Sequence, residues 1–146
     1  MTIPHPQFDR LIDAARRVGP VRVAVAHPCD RSSIEAALDA FKIGLIVPVL
    51  IGPRARILRA ADEAKLDIGM LELIDTPHSH ASAARGVELV RAGQAEALMK
   101  GSLHTDELMG AVVDSATGLR TARRLSHCFV MEVPGREEPL IITDAA

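Results

Sequence analysis

The sequence has few aromatic residues and little net charge, and both shortages bear on function. Aromatic residues make up 2% of the 146 positions: they are Phe8, Phe41 and Phe129, without any Trp or Tyr. Proteins that bind single-stranded nucleic acids stack bases on aromatic side chains, and binding to the phosphate backbone requires positive charge. The formal net charge of this chain is −2. We therefore expect no nucleic-acid partner.

Long apolar runs and clustered cysteines are also lacking. No run approaches the length of about 18 apolar residues that a membrane span needs, and the first ten residues resemble neither a signal nor a transit peptide. Cys29 and Cys128 lie far apart and belong to no CxxC motif. The sequence therefore predicts a cytoplasmic protein with reduced thiols and no membrane partner.

Motifs that bind nucleotides or metals are missing as well. Neither GxGxxG nor GxxxxGK[ST] occurs, so a dinucleotide site and a Walker A loop have no support. His78 and His80 are spaced i, i+2 without a third ligand nearby, and we expect no metal site. A Ser-His-Asp triad stays open because Ser126 and His127 are present, although no GxSxG elbow supports it.

What the sequence does contain is an alternation of short apolar runs with helix-like periodicity, the pattern of parallel βα units. The predicted strands are 21–28, 45–53, 71–77 and 96–102. The predicted helices are 32–44, 54–66, 79–93 and 104–118. Two further strands, 126–134 and 139–146, are expected to form a C-terminal hairpin.

The strands are almost continuously apolar, which is typical of strands covered by helices on both faces. The sequence thus predicts an α/β fold, a three-layer α/β/α sandwich with a mostly parallel sheet. Hydroxyl side chains suited to cap helix starts are Ser32 or Ser33, Ser79 and Thr105. The last predicted strand reaches the end of the sequence, so we expect a chain cut within a larger protein; the alternative is an edge strand.

Candidate site residues follow from the rule that open α/β sheets bind ligands beyond the carboxyl ends of their strands. These positions hold His27, Pro28, Cys29, Asp30, Gly52, Pro53, Asp75, Thr76, His78, Lys100, Gly101, Ser102, His104, Thr105 and Asp144. The segment from Lys100 to Thr105 combines a cation, a glycine and hydroxyls before a helix start, which suits an anion. The alternative is a capped helix with a solvated lysine.

A second cluster that suits phosphate lies between the last predicted helix and the hairpin. Arg120, Arg123 and Arg124 accompany Thr121 and Ser126 there. Arginine gives bidentate, permanently charged contacts to phosphate groups. The alternative is a solvated basic turn.

Together these segments resemble the phosphate acetyltransferase and phosphate butyryltransferase family. The motifs that carry the resemblance are VAVAHPCD, IVPVLIGP, ALMKGSLHTDELMGAVV, LRTARRLSHCFVMEVPG and PLIITDAA, in matching order from Val21 to Ala146. The chain looks most like the butyryltransferase-type branch and the transferase half of enoyl-CoA hydratase/phosphate acetyltransferase proteins. The resemblance implies reversible transfer of a short acyl group, acetyl or butyryl, between coenzyme A (CoA) and inorganic phosphate.

The resemblance also implies a fold and an assembly. The fold would be isocitrate/isopropylmalate dehydrogenase-like, with the active site between two subdomains, in a homo-oligomer. CoA, acyl-CoA and phosphate would be substrates, and no bound cofactor or metal is needed. Residues 1–146 would form the first α/β subdomain, cut before the second is complete, with the general acid or base in the absent part. The alternative is a non-catalytic module that binds CoA or an acyl phosphate.

Residue roles follow by matching motifs. Ser126, in the LSH segment, is the expected catalytic hydroxyl, and Ala122 stands where the family's RTG stretch has glycine. The residues expected to bind phosphate are Arg120, Thr121, Lys100, Gly101, Ser102, His104 and Thr105. Those expected to line the cleft or contact CoA are His27, Pro28 and Asp144.

Overall fold

A computed structural model of the protein describes residues 5–144, which form two compact units. We call residues 20–120 the sheet unit, and residues 5–19 together with 121–144 the hairpin unit. None of the described helices is long and apolar enough to cross a membrane. Helices and strands alternate through most of the described chain, as the sequence predicts.

The sheet unit contains four strands and four helices in strict alternation. They are β1 (Val21–Ala26), α2 (Arg31–Lys42), β2 (Ile46–Gly52), α3 (Arg54–Glu63), β3 (Glu72–Asp75), α4 (Ser79–Arg91), β4 (Ala97–Lys100) and α5 (Thr105–Val113). At its carboxyl end each strand stops short of the run that predicted it. The last residues of the predicted runs, among them His27, Thr76 and Ser102, lie instead in the loops at the carboxyl edge of the sheet.

The four strands form one parallel sheet in the order β3-β2-β1-β4. Val21 of β1 pairs with Ile46 of β2, and Val23 pairs with Ala97 of β4. After β1 the chain adds β2 and β3 on one side and then returns to add β4 on the other side, so the strand order reverses at β1. Such a reversal opens a crevice at the carboxyl ends of β1 and β4, where open α/β sheets bind ligands.

Helices cover both faces of this sheet, which gives the three predicted layers. Val23 and Val25 of β1 pack on one face with α2 and α3, where Ile34 and Ile57 are fully buried. The alternate residues of β1 pack on the other face with α4 and α5; this second core contains Ala24, Ala26, Ala83, Leu89 and Leu108. Successive side chains of a strand point to opposite faces of the sheet, so the apolar residues of β1 contribute to the cores on both faces.

The hairpin unit joins the two ends of the described chain. The helix α1 (Pro6–Val18) was not predicted, whereas the antiparallel pair β5 (Cys128–Met131) and β6 (Leu140–Thr143) was. Gln7 Nε2 donates a hydrogen bond to the Arg136 carbonyl at 2.6 Å, so the helix is attached to the hairpin turn. The strands remain open to solvent, with Phe129 58% exposed.

The predicted helix caps are wrong at three starts. Asp30 caps α2 by accepting from Ser33 N at 2.9 Å, and His78 caps α4 through Nδ1. The N-cap position of α5 is His104, which makes no side-chain cap bond, and Thr105 is the first helical residue. Each helix begins at or next to the expected hydroxyl, but a neighbouring residue has the extended backbone that an N-cap requires.

Candidate functional site

The turn after β4 is tied to the loop after β1 by backbone hydrogen bonds. Gly101 N donates to Ala26 O at 2.8 Å, and Ser102 N donates to His27 O at 2.9 Å. A Cβ on Gly101 would lie 2.5 Å from Ala26 O and 2.6 Å from His27 O, so only glycine fits. The structure therefore brings together two of the predicted segments, those around His27 and Gly101, at the strand-order reversal.

The Ser102 hydroxyl and the Lys100 ammonium group form hydrogen bonds to the backbone of this turn and of the neighbouring loop. Ser102 Oγ donates to His27 O at 2.9 Å and accepts from Cys29 N at 3.0 Å. The exposed Lys100 reaches forward, and its Nζ donates to Leu103 O at 3.0 Å. Ser102 thus holds the loop after β1 in place, and Lys100 supplies a fixed positive charge at the carboxyl edge.

The start of α5 is less favourable for an anion than its sequence suggests. His104 and Thr105, two of the residues expected to bind phosphate, are exposed there. The first turn also carries Asp106 and Glu107, whose negative charges already complement the helix dipole. The positive charge available to an anion at this edge therefore comes from side chains more than from the α5 start.

His27 is the most constrained of the predicted residues. Its side chain is buried, and its φ of +57° lies in the left-handed region that non-glycine residues seldom adopt. Its Nδ1 lies 3.1 Å from Ser82 Oγ, and its Nε2 lies 3.5 Å from Arg56 Nη1. Burial, then the Arg56 charge, lowers the pKa of His27 below its usual value. Neutral His27 is therefore the form present near neutral pH.

Sequence reasoning missed the partners of His27. Ser82 is fully buried in the first turn of α4, and Arg56 lies in the first turn of α3. Neither position stands at a strand end, so the strand-end rule did not select them. The one feature of the sequence that could have indicated Ser82 is that this serine falls among the apolar positions of the α4 pattern. Pro28, predicted to line the cleft, is itself fully buried.

Predicted residues of the hairpin unit also come together. Ser126 Oγ donates to Asp144 Oδ1 at 2.5 Å and lies 3.1 Å from Thr143 Oγ1. Asp144 has a φ of +53°, and both Ser126 and Asp144 are exposed. The ring of His127 packs against Phe129, with the ring centres 5.2 Å apart. A direct serine–aspartate contact thus replaces the serine–histidine contact that a catalytic triad would need.

The remaining predicted residues flank the boundary between the units. Arg120 is exposed and ends the sheet unit, and Thr121 begins the second segment of the hairpin unit. Thr121 Oγ1 accepts from Arg123 N at 3.1 Å, which shapes the basic turn. Within residues 5–144, no group of three or more His, Cys, Asp or Glu side chains could hold a metal ion.

Comparison with known proteins gives relatives for nearly the whole chain. A phosphate acetyltransferase from Rhizobium meliloti is 57% identical over 140 residues, covering 96% of this chain and 44% of the relative. A phosphate butyryltransferase from Clostridium beijerinckii is 32% identical over 139 residues, covering 95% and 46%. This chain therefore spans less than half the length of these relatives. No protein-family model matches it.

Solved structures show the same fold. A branched-chain phosphotransacylase from Enterococcus faecalis matches with a TM-score of 0.67 and 21% identity, over 85% of this chain and 42% of that protein. A phosphotransacetylase from Streptococcus pyogenes matches with a TM-score of 0.72 and 14% identity, over 97% and 51%. At these identities the likeness concerns the fold alone.

Proposed function

Since this chain belongs to the phosphate acetyltransferase and phosphate butyryltransferase family over the part of those proteins that it spans, we propose that the protein is a phosphate acyltransferase. It transfers a short acyl group, acetyl or butyryl, reversibly between CoA and inorganic phosphate. The observation that carries this proposal is the 57% identity to a phosphate acetyltransferase across 140 residues. The α/β sheet with its strand-order reversal at β1 supports it, because such reversals bind ligands.

The proposed reaction is a direct attack of phosphate on the thioester. A phosphate oxygen forms a bond to the acyl carbonyl carbon and loses its proton to a base. The tetrahedral intermediate then collapses, the carbon–sulfur bond breaks, and CoA leaves as a thiolate that takes up a proton. Holding both substrates in one site makes the step effectively unimolecular, which lowers its barrier.

Residues of this chain have assigned parts in this proposal. Arg120 and Lys100 hold the phosphate dianion, with Thr121, His104 and Thr105 as further polar contacts. Ser126 donates to the developing oxyanion, an interaction typically worth about 10²- to 10³-fold in rate. The Ser126 hydroxyl is exposed, and its proton, which is donated to Asp144 Oδ1 at 2.5 Å in the free protein, turns to the oxyanion when substrate binds. His27 and Asp144 are further residues that we propose to contact CoA.

The proposal extends to the architecture of the whole protein. It is a cytoplasmic homo-oligomer with an isocitrate/isopropylmalate dehydrogenase-like fold, in which this chain is the first subdomain. The 42% to 51% of the solved phosphotransacylases that it covers supports a second subdomain of similar size. That second part supplies the general acid or base.

The first test is release of CoA from acetyl-, propionyl- and butyryl-CoA by the protein at its full natural length. We expect release that requires phosphate, and the ranking of the three thioesters identifies the branch. Binding of CoA without any phosphate-dependent release would contradict the proposal and favour the non-catalytic module.

Two arginine variants test whether Arg120 binds phosphate. Arg120→Ala is expected to raise the KM for phosphate about tenfold or more, because a charge-assisted hydrogen bond contributes roughly 1.5–3 kcal/mol. The KM for acyl-CoA is expected to stay unchanged. The exposed Arg59 on α3 provides the matched control, and Arg59→Ala should leave both constants as they are. Unchanged phosphate kinetics in Arg120→Ala would remove Arg120 from the site.

A further inference from the structure

We infer that Arg56 is an additional phosphate-binding residue at the carboxyl edge of the sheet, and that His27 is the positioning residue that holds it there. The inference rests on the proposed function, since it adds a residue to the site that binds phosphate-bearing substrates. Its ligand is a phosphate group, either inorganic phosphate or a phosphate of CoA. It is argued from a chain of hydrogen bonds that runs from α4 through His27 to α3.

The buried end of this chain fixes the tautomer of His27. Ser82 Oγ donates its one proton to His78 O at 2.9 Å. Its lone pairs therefore accept, from Thr76 Oγ1 at 2.8 Å and from His27 Nδ1 at 3.1 Å. With this assignment, and because the Arg56 guanidinium next to Nε2 can only donate, we assign the ring proton to His27 Nδ1, which leaves Nε2 with a free lone pair. Ser82, Thr76 and His27 are each more than nine-tenths buried, so water does not compete for these bonds.

The backbone holds the His27 ring in the same place. The His27 carbonyl accepts from Cys29 N, Ser102 N and Ser102 Oγ, each at 2.9 Å. These three bonds keep the residue at a φ of +57°. An unfavourable backbone conformation that is held this firmly is typical of residues positioned for function.

The exposed end of the chain is Arg56. A guanidinium can only donate, and the Nε2 lone pair of His27 is the acceptor 3.5 Å from Arg56 Nη1. In the described part of the chain the Arg56 guanidinium has no other hydrogen-bond partner, so its other donors remain for a ligand. Arginine forks match phosphate oxygens in bidentate geometry.

Charges around His27 favour the neutral ring that this arrangement needs. Burial lowers the pKa of His27 most, followed by the charge of Arg56 on α3. Glu107 on α5 acts in the opposite direction, and His78 before α4 acts in the same direction as Arg56. A protonated ring would lose its acceptor and repel Arg56. Below the pKa of His27, Arg56 is therefore released from its position.

Arg56 also lies near the rest of the site. Its Nη1 lies 3.5 Å from His27 Nε2, which places the guanidinium beside the loop after β1. Its positive charge there opposes the rise that burial causes in the pKa of the Cys29 thiol. Ser102, in the turn after β4, binds that same loop, and Lys100 is the last residue of β4. Two cations thus stand at the strand-order reversal, one from α3 and one from the carboxyl end of β4.

The test is calorimetric titration of the full-length protein with two probes, inorganic phosphate and adenosine 3′,5′-bisphosphate, a phosphate-bearing fragment of CoA. Arg56→Gln is expected to raise the Kd of one probe about tenfold, and the affected probe identifies the source of the phosphate. Arg59→Gln, an exposed arginine on the same helix, should change neither Kd. Unchanged affinity for both probes in Arg56→Gln overturns the inference alone. A wild-type protein that binds neither probe overturns the proposed function as well.

The role of His27 has its own readouts. Nitrogen-15 NMR of the wild-type protein is expected to show a His27 ring that is neutral and protonated at Nδ1 at about pH 7.5, with a titration midpoint below the usual histidine value of about 6.5. An Nε2-protonated ring, or a midpoint at or above that usual value, would contradict the positioning role. His27→Leu should weaken binding as Arg56→Gln does. His27→Gln keeps an acceptor for Arg56 and should lose clearly less affinity for the probe than His27→Leu does; equal losses in both would leave His27 without a positioning role.

Discussion

At the scale of single residues, the candidate site depends on close approach of two loops. The sequence pointed to His27 and Gly101 because both follow apolar strands. It did not reveal that Ser102 would bond to the carbonyl of a residue 75 positions away, or that Ser82 would orient the His27 ring. Such contacts depend on which strands become neighbours, and a local pattern contains no information about strand order.

Gly101 provides a direct test of that close approach. Gly101→Ala places a Cβ 2.5 Å from Ala26 O, a backbone atom that cannot move without disturbing β1. We expect the free energy of unfolding to fall by about 1–3 kcal/mol or more, the usual effect of overpacking. Urea denaturation measures it.

Gly110 is the matched control for Gly101. It lies inside α5, and an added Cβ meets nothing within 4 Å. Gly110→Ala should raise the free energy of unfolding by about 0.5–1 kcal/mol, since alanine is the better helix former. Equal effects of the two substitutions would mean that the loops after β1 and β4 are not in close contact.

At the scale of elements, the sequence predicted which segments are helices and strands better than where they begin. Hydrophobic periodicity reports the face that an element buries, and that face extends over the whole element. A helix start depends on one residue with extended backbone, and Asp30 and Ser32 are both good caps. Helix α1 was missed because no alternating strand pattern surrounds it.

Asp30 should stabilise α2 in a manner that depends on pH. Hydrogen bonds from Ser33 lower the pKa of Asp30 below its unfolded value of about 3.9. Folding therefore favours the ionised form of Asp30, and the ionised carboxylate stabilises the folded state. This stabilisation is present above about pH 4 and is lost as the pH falls through the lower pKa of the folded state. Asp30→Ala should lower the free energy of unfolding at pH 7 by about 1 kcal/mol.

Chemical denaturation at several pH values measures this effect. The difference between Asp30→Ala and the wild type should shrink below pH 4. Ser32→Ala removes one of the two caps that the sequence suggested, Ser32 or Ser33, and should change stability by less than about 0.5 kcal/mol. A larger effect at Ser32 than at Asp30 would show that the cap had been assigned to the wrong residue.

At the scale of the whole molecule, the parallel α/β sheet was predictable and the division into two units was not. The strand and helix patterns are local, so the three-layer architecture follows from them. The hairpin unit instead joins segments from opposite ends of the described chain, as in the bond from Gln7 to Arg136 across 129 positions. No periodicity in the sequence signals such a pairing.

The sheet unit should therefore fold without the hairpin unit. Residues 20–120 contain all three apolar clusters of the described chain. We expect a polypeptide of residues 20–120 to show a helix-and-strand circular dichroism spectrum and one cooperative urea transition. A shorter polypeptide of residues 20–100 lacks Leu103 and Leu108 and should lose that cooperativity. A disordered 20–120 polypeptide would contradict the division.

The strand order β3-β2-β1-β4 also determines the order in which the strands can pair as the chain is synthesised. The ribosome delivers β1, β2 and β3 before β4, so the first three strands can pair while the far side of β1 still lacks a partner. Synthesis proceeds from the amino-terminal end, and the complete unit can fold only when its last strand has emerged. The turn from Lys100 onward reaches the His27 carbonyl only when β4 has docked. The carboxyl edge around His27 and Gly101 is thus the last part of the sheet to be completed, so the site that we propose there can form only after β4 has been synthesised and has paired with β1.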